Sequence, residues 1–145
     1  IEFVAKNQMH YAAAMRLPYL DAKTAIKQIH ADVDHSLFGI PRIGPRLKNN
    51  WSLRNNVWRA REEVTMDFMR LAIVLEWYRD ECGVYPESLE ALAEWFPEGM
   101  PVDPFSGEGY VYSPDAETFR LSSVGPTQED APGEEFGEIV WGGCE

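Results

Sequence analysis

The chain has 145 residues and a formal net charge of −11, from 13 Lys+Arg against 24 Asp+Glu, which is the size of one ordinary domain. With 45% hydrophobic residues and 12% aromatics it carries enough apolar surface to offset chain entropy, which excludes wholesale disorder, and two cysteines exclude a disulfide-built miniprotein. Its longest apolar runs, 11–15 and 71–75, fall far short of the ~18 residues that a membrane span needs.

The chain opens at Ile1 rather than Met, which suggests a processed or trimmed polypeptide; Ile1-Glu2-Phe3 could equally be a cloning remnant. Residues 3–17 predict a helix, with Val4, Tyr11 and Met15 at helical spacing and Ala12 to Ala14 between them. Pro18 cannot donate an intrahelical bond but fits a first turn, so a kink or short link is expected there, followed by a second helix over 19–33. Residues 34–50 hold Gly39, Pro41, Gly44, Pro45 and Asn49-Asn50 and predict a loop that reverses the chain.

From Ser52, a reasonable N-cap, Val57, Val64, Phe68, Leu71, Leu75 and Tyr78 predict a long helix to Cys82, closed by Gly83 in the left-handed conformation. This helix acts as a spine, and Trp51, Trp58 and Trp77 on it need partners. Pro86 is expected to open a short helix through Leu89, Leu92 and Trp95, which Pro97 and Pro101 close. Asp103-Pro104-Phe105-Ser106-Gly107 has turn chemistry, because proline pre-sets the second position and aspartate bonds the backbone two residues on. Residues 110–112 and 118–124 flank Pro114-Asp115-Ala116-Glu117 and predict an antiparallel hairpin, with a third strand at 138–141.

The acidity is uneven. Residues 1–83 hold twelve Lys+Arg and ten Asp+Glu, whereas residues 84–145 hold Arg120 alone against fourteen acids. That argues against nucleic-acid binding by the second half, because phosphate contacts need clustered Lys and Arg. The basic stretch Arg42, Arg46, Lys48, Arg54, Arg59 and Arg61 could meet a polyanion or the acidic half, and reads most simply as a solvated face.

The order of signals over 70–141 carries a resemblance: the long helix, Gly83-Val84-Tyr85-Pro86, then Pro101-Val102-Asp103-Pro104-Phe105-Ser106-Gly107, a Tyr-rich strand, Leu121-Ser122-Ser123-Val124-Gly125, and Glu138-Ile139-Val140-Trp141. It resembles the C-terminal half of the G-type major pseudopilins of type II secretion. That family begins with a hydrophobic N-terminal helix, to which nothing here corresponds, and Ser106 is an extra residue in the turn motif. The resemblance implies an α+β fold, a long spine helix on a small antiparallel sheet, here preceded by a helical hairpin. Residues 1–50 then form an N-terminal helical region and loop, and 51–145 a pseudopilin-like domain.

The resemblance also implies Ca2+ in the loop before the last strand, with Ser123, Asp130, Glu134 and Glu138 as candidate ligands. Calcium takes six to eight hard oxygens, and 123–138 offers Glu129 and Glu135 as well, with carbonyls at Gly125 and Gly133. Where the family has an aspartate this chain has Thr127, and its Asp-Ile is here Glu138-Ile139.

Other clusters are weaker. His30, Asp32, Asp34 and His35 lack zinc-motif spacing and read as an exposed helix end, and His10 stands alone. Glu62-Glu63 and Glu134-Glu135 are paired acids on polar segments rather than two carboxylates in contrasting environments. Cys82 and Cys144 could pair in an oxidising compartment or remain thiols. Most aromatics are expected in the core, with one or two available for a partner-binding patch. These readings converge on a non-enzymatic structural or interaction module of a bacterial envelope system, acting in protein transport through a protein partner or a homo-oligomer. A small binding domain using the basic loop or acidic tail, and a hydrolase with a carboxylate or His/Asp site, are the alternatives.

Overall fold

The computed structural model describes residues 9–36, 50–127 and 137–142. Residues 9–14 are helical (α1), followed by α2 (Tyr19–Ser36), α3 (Asn50–Cys82), a 3-10 helix (Leu89–Trp95), β1 (Val111–Pro114), β2 (Phe119–Ser123) and β3 (Ile139–Trp141). The fold is mixed helix and sheet, with one long helix, a three-stranded antiparallel sheet in the order β1-β2-β3, and short helices before them. Among the described residues no helix is long and apolar enough to cross a membrane.

The α1–α2 hairpin turns where Pro18 dictates. The last bonds of α1 tighten to Arg16 N–H on Ala13 and Leu17 N–H on Ala14, and Pro18 offers its carbonyl to Ala22 N–H as α2 begins. Tyr11 and Ala14 of α1 bury against Ile26 and Ile29 of α2. Such a break leaves carbonyls at 15 and 17 without intrahelical partners, and Arg59 of α3 supplies them: its guanidinium donates to the Met15 and Leu17 carbonyls and to Asn56 Oδ1. Asn56, fully buried, donates to the Tyr19 carbonyl at 3.1 Å. One arginine of the basic stretch is therefore spent on fastening the spine to the hairpin.

Along α3, Val57, Ala60, Val64, Phe68, Leu71 and Leu75 form a buried stripe with steps of three and four. Tyr19 covers its first half together with Phe105, and the sheet and 3-10 helix cover its second through Leu89, Leu92, Phe119 and Leu121. Edge-to-face ring pairs Tyr19–Phe105 (4.8 Å), Phe68–Tyr110 (5.0 Å) and Tyr85–Phe119 (5.3 Å) tie these layers together. Gly83 ends α3 at φ 81, its N–H on the Arg79 carbonyl. Two residues later Tyr85 is pinned, its hydroxyl donating to Glu76 Oε1 (2.7 Å) and accepting from Arg79 (2.9 Å).

In the sheet, Val111 pairs with Ser122, Tyr112 with Leu121 and Pro114 with Phe119, while Leu121 pairs with Trp141 and Ser123 with Ile139. Phe119, Leu121 and Ser123 share the face toward α3; Arg120 is on the other. Gly125, at φ 67, lies where a Cβ would stand 1.8 Å from the Gly137 carbonyl oxygen, and Gly137 N–H returns to the Pro126 carbonyl. The two ends of the segment between β2 and β3 are thus pinched together. Gly125 is there because nothing larger fits.

Three expectations are corrected. The spine is already helical at Asn50, so Ser52 lies inside it instead of capping it. Pro86 does not open the short helix, which starts at Leu89; Pro86 is buried in the link before it and its carbonyl accepts from Tyr112 OH at 3.0 Å. Trp58 and Trp77, expected to be covered, are both 55% exposed.

Asp103 joins two segments that are far apart in sequence. Almost wholly buried, it accepts from Phe105 N–H through Oδ1 and from Val124 N–H through Oδ2, both at 2.9 Å, while its carbonyl accepts from Gly107 N–H. Asp103→Asn keeps the shape but sets an N–H₂ against one of these N–H groups, so a loss of about 1–3 kcal/mol is expected, read as a lowered urea midpoint at unchanged slope. Stability within experimental error of wild type would remove Asp103 from this role.

Candidate functional site

Because α3 is apolar on its inner face, its outer face should be polar, and it is not. Met66, Met69, Ile73 and Trp77 recur at steps of three, four and four on the side opposite Val64, Phe68, Leu71 and Leu75. Ile73 is 69% exposed, Trp77 55% and Met66 52%. Exposed Trp58 precedes this stripe, and Glu62 and Asp80 bound it on the same face.

β3 runs alongside and widens the patch. Trp141, Ile73, Trp77 and Phe119 line a depression with Glu76 and Asp80 at its edge. Nearer the start of α3, Trp58, Thr65, Met66 and Ile139 line an apolar groove rimmed by Arg61 and Glu62. Exposed apolar surface of this extent, rimmed by charge, is characteristic of interaction sites, and Trp and Met are residues that interfaces favour. The signal was present in the sequence as a second 3-4 periodicity, masked by the stronger inner stripe.

The candidate calcium ligands separate. Ser123 is buried on the face toward α3, where its Oγ accepts from Gly125 N–H at 3.1 Å. Glu138 precedes Ile139, which pairs with Ser123, and its carboxylate reaches across the outer face to Arg120 at 3.3 Å. The pairing brings the two backbones together but sends the side chains to opposite faces, so Ser123 and Glu138 do not share a coordination sphere in this arrangement. Asp130 and Glu134, with Glu129, Gly133 and Glu135, lie outside the described residues. Thr127, at the position of the family's aspartate, is exposed.

The remaining candidates also disperse. His30 packs edge-to-face on Tyr11 (5.8 Å) inside the hairpin, and Asp32 accepts from Gln28 (2.9 Å). The side chains of Asp34 and His35 lie outside the described residues, among which no three His, Cys, Asp or Glu side chains gather as for a metal. Cys82 is exposed at the end of α3, and Cys144 is outside the described residues, as are Arg42, Arg46 and Lys48. Glu62 and Glu63 are both exposed.

One buried carboxylate was not anticipated. Asp67, on the flank of α3, accepts from Tyr110 OH at 2.9 Å, with Arg70 3.7 Å from its other oxygen. It lines a second groove, between α3 and the segment 95–102. Burial pushes its carboxyl above the ordinary range, against the opposing Tyr110 hydrogen bond and Arg70 charge. Burial and the neighbouring Asp67 charge likewise push the Tyr110 hydroxyl far up. The folded state therefore keeps the Asp67 proton at a pH where the unfolded chain, near 3.8, has released it. The stability that this group contributes is full below that unfolded value and is lost as pH rises through the raised folded one. Asp67→Asn is expected to gain on wild type in melting temperature at pH 7 and to lose that gain as pH falls below 4; a difference that grows on acidification would contradict the assignment.

Comparison of the chain with protein-family models, curated proteins and solved structures finds no match.

Proposed function

We propose that this protein is a non-enzymatic structural or interaction module of a bacterial envelope system, similar in its C-terminal half to the major pseudopilins of type II secretion, and that it works by seating a protein on the outer face of α3. The observation that carries this reading is the exposed stripe Met66, Met69, Ile73 and Trp77, continued by Trp58 and Trp141. A 33-residue helix is about 50 Å long, more than a domain this small needs for its own core, and among the described residues Met66, Ile73 and Trp77 on its second apolar face stay more than half exposed. The motif order over 70–141 favours a secretion system as the setting, and hence an envelope location. The acidic second half disfavours nucleic acid as the partner.

The test is genetic. Deletion of the gene in its native bacterium is expected to remove a set of proteins from the medium, and the wild-type gene to restore them. Ile73→Glu, a change at an exposed site that leaves the core untouched, is expected to fold and fail to restore them. An unchanged exported set after deletion would sink the proposal.

Calcium belongs to the same reading, through the loop before β3. Carboxylates of Asp130, Glu134 and Glu138 would hold the ion, which would neutralise an acidic loop. Glu138 is available at small cost, since its half-exposed pair with Arg120 is worth at most about 1 kcal/mol. Millimolar calcium is expected to raise the melting temperature of metal-stripped protein by roughly 5–10 °C at a hundredfold excess over its dissociation constant, with magnesium as control. Arg120→Ala should keep or enlarge that shift. No calcium-selective shift in either protein would remove calcium from the reading.

A further inference from the structure

We propose that the cavity between the 3-10 helix and β1 receives an arginine side chain of a partner protein. None of the α3 stripe residues lines it, so this contact is separate from the one proposed above. Shape, charge and hydrogen-bonding capacity point the same way.

Leu89, Met100, Tyr110 and Tyr112 wall a cavity of about 240 Å³, with Glu87 and Glu90 also in its lining. That is smaller than the roughly 300–1,000 Å³ of sites that enclose small molecules, and it suits one long side chain. The walls are set in advance. Tyr110 and Tyr112 stand two positions apart on the chain entering β1, and each ring is tied at its far end: Tyr110 OH donates to Asp67 at 2.9 Å and Tyr112 OH to the Pro86 carbonyl at 3.0 Å. Rings held at both ends do not swing in to fill the space.

From Asp80 to Phe119 the chain has no Lys, Arg or His, and no basic residue lines the cavity. Glu87 and Glu90 are exposed, and among the described residues neither pairs with a Lys or Arg. The Ser88 hydroxyl and the Glu90 N–H hold the Glu90 carboxyl below its ordinary range, which keeps it ionised. Two carboxylates beside apolar and aromatic walls, with no counter-charge between them, favour an incoming cation.

The cavity has no side-chain donor left to offer. Ser88 is spent on Glu90, Tyr110 on Asp67 and Tyr112 on Pro86. What remains is carboxylate oxygen and ring and aliphatic surface. An anion finds no free side-chain donor there, whereas a group that brings its own N–H donors, a positive charge and an apolar stem meets a partner for each. Arginine has all three, and its planar guanidinium stacks on a tyrosine ring and can bond two carboxylates at once, where lysine presents a point charge.

The test is an NMR titration of the isotope-labelled chain, with N-acetyl-arginine amide as the probe and the backbone amides of Leu89, Gly109 and Tyr110 as reporters. Their shifts are expected to saturate with a dissociation constant in the millimolar range, as a single side chain without its protein should give. N-acetyl-citrulline amide, of similar shape but uncharged, should bind at least about tenfold more weakly, and the arginine probe should lose at least about tenfold on a Glu87→Gln/Glu90→Gln variant. Both positions are exposed, so that variant should melt with wild type. Glu81→Gln/Glu117→Gln removes the same charge outside the cavity and should leave binding within about twofold. Shifts that fail to saturate or that spread evenly over the acidic surface, citrulline binding as tightly as arginine, or the Glu87→Gln/Glu90→Gln variant binding as wild type does each overturn the proposal; equal binding of N-acetyl-lysine amide overturns the choice of arginine. None of these outcomes bears on the α3 stripe, which stands or falls on the export test of Ile73→Glu.

Discussion

The described structure depends on the buried carboxylate of Asp103 more than on any other single polar group. A carboxylate out of water is costly unless its oxygens are satisfied, and here each oxygen holds one backbone N–H, from Phe105 on one side and Val124 on the other. The first bond shapes the turn that puts Phe105 against Tyr19 of the hairpin. The second fixes the chain as it leaves β2. One side chain thereby links the turn that touches the N-terminal helices to the exit of the central strand, on the same face of α3. Arg59 does the matching work at the other end, holding the hairpin turn to α3 through carbonyls that Pro18 leaves unpaired.

These two fasteners explain why a helix as long as α3 can be apolar on two faces without losing its place. The inner stripe is held not only by hydrophobic burial, which has no direction, but by polar contacts with defined geometry at both ends: Asn56 and Arg59 near the start, Glu76 and Arg79 with Tyr85 near the finish. A rotation of α3 that hid Met66, Ile73 and Trp77 would break all of them and expose Val64, Phe68, Leu71 and Leu75. The outer stripe therefore stays outside because the polar contacts reinforce the choice of the stronger inner stripe as the core face.

That competition also marks the limit of what the sequence made legible. Element types and order followed from local signals with local causes: Pro18 and Gly83 at helix ends, Asp103-Pro104 in a turn, alternation in 119–123. The spine's core face followed from its 3-4 spacing. The covering of Trp58 and Trp77 was misjudged, because periodicity says that residues share a face but not which of two apolar faces the rest of the chain packs on. Asp67 and Asn56 were overlooked for a related reason: each lies on the flank of a helix next to core positions, and only the partners Tyr110 and Tyr19, 43 and 37 residues away, give it a reason to be buried. The short helix was shifted from Pro86 to Leu89 because Tyr112, a strand residue, draws the Pro86 carbonyl into the sheet side of the core.

The same distinction separates the fold from the chemistry at the loop before β3. Two residues there, Ser123 and Gly125, match the pseudopilin pattern, and each has a folding reason that calls for no ion: Ser123 Oγ holds Gly125 N–H, and Gly125 stands where a side chain would strike the Gly137 carbonyl, while Asp103 of the earlier turn holds Val124 between them. Together they close the base of the segment between β2 and β3. The positions at which this chain departs from the pattern, Thr127 and Glu138, are ones that would touch a metal, and Glu138 has instead an arginine beside it. Agreement in the residues that shape the loop and divergence in those that would fill it means that the likeness speaks first for the architecture. A cation held by the acids of this segment would meet the described fold at Glu138 rather than at Asp103, whose two oxygens are already held by the Phe105 and Val124 N–H groups on which the rest of the fold hangs.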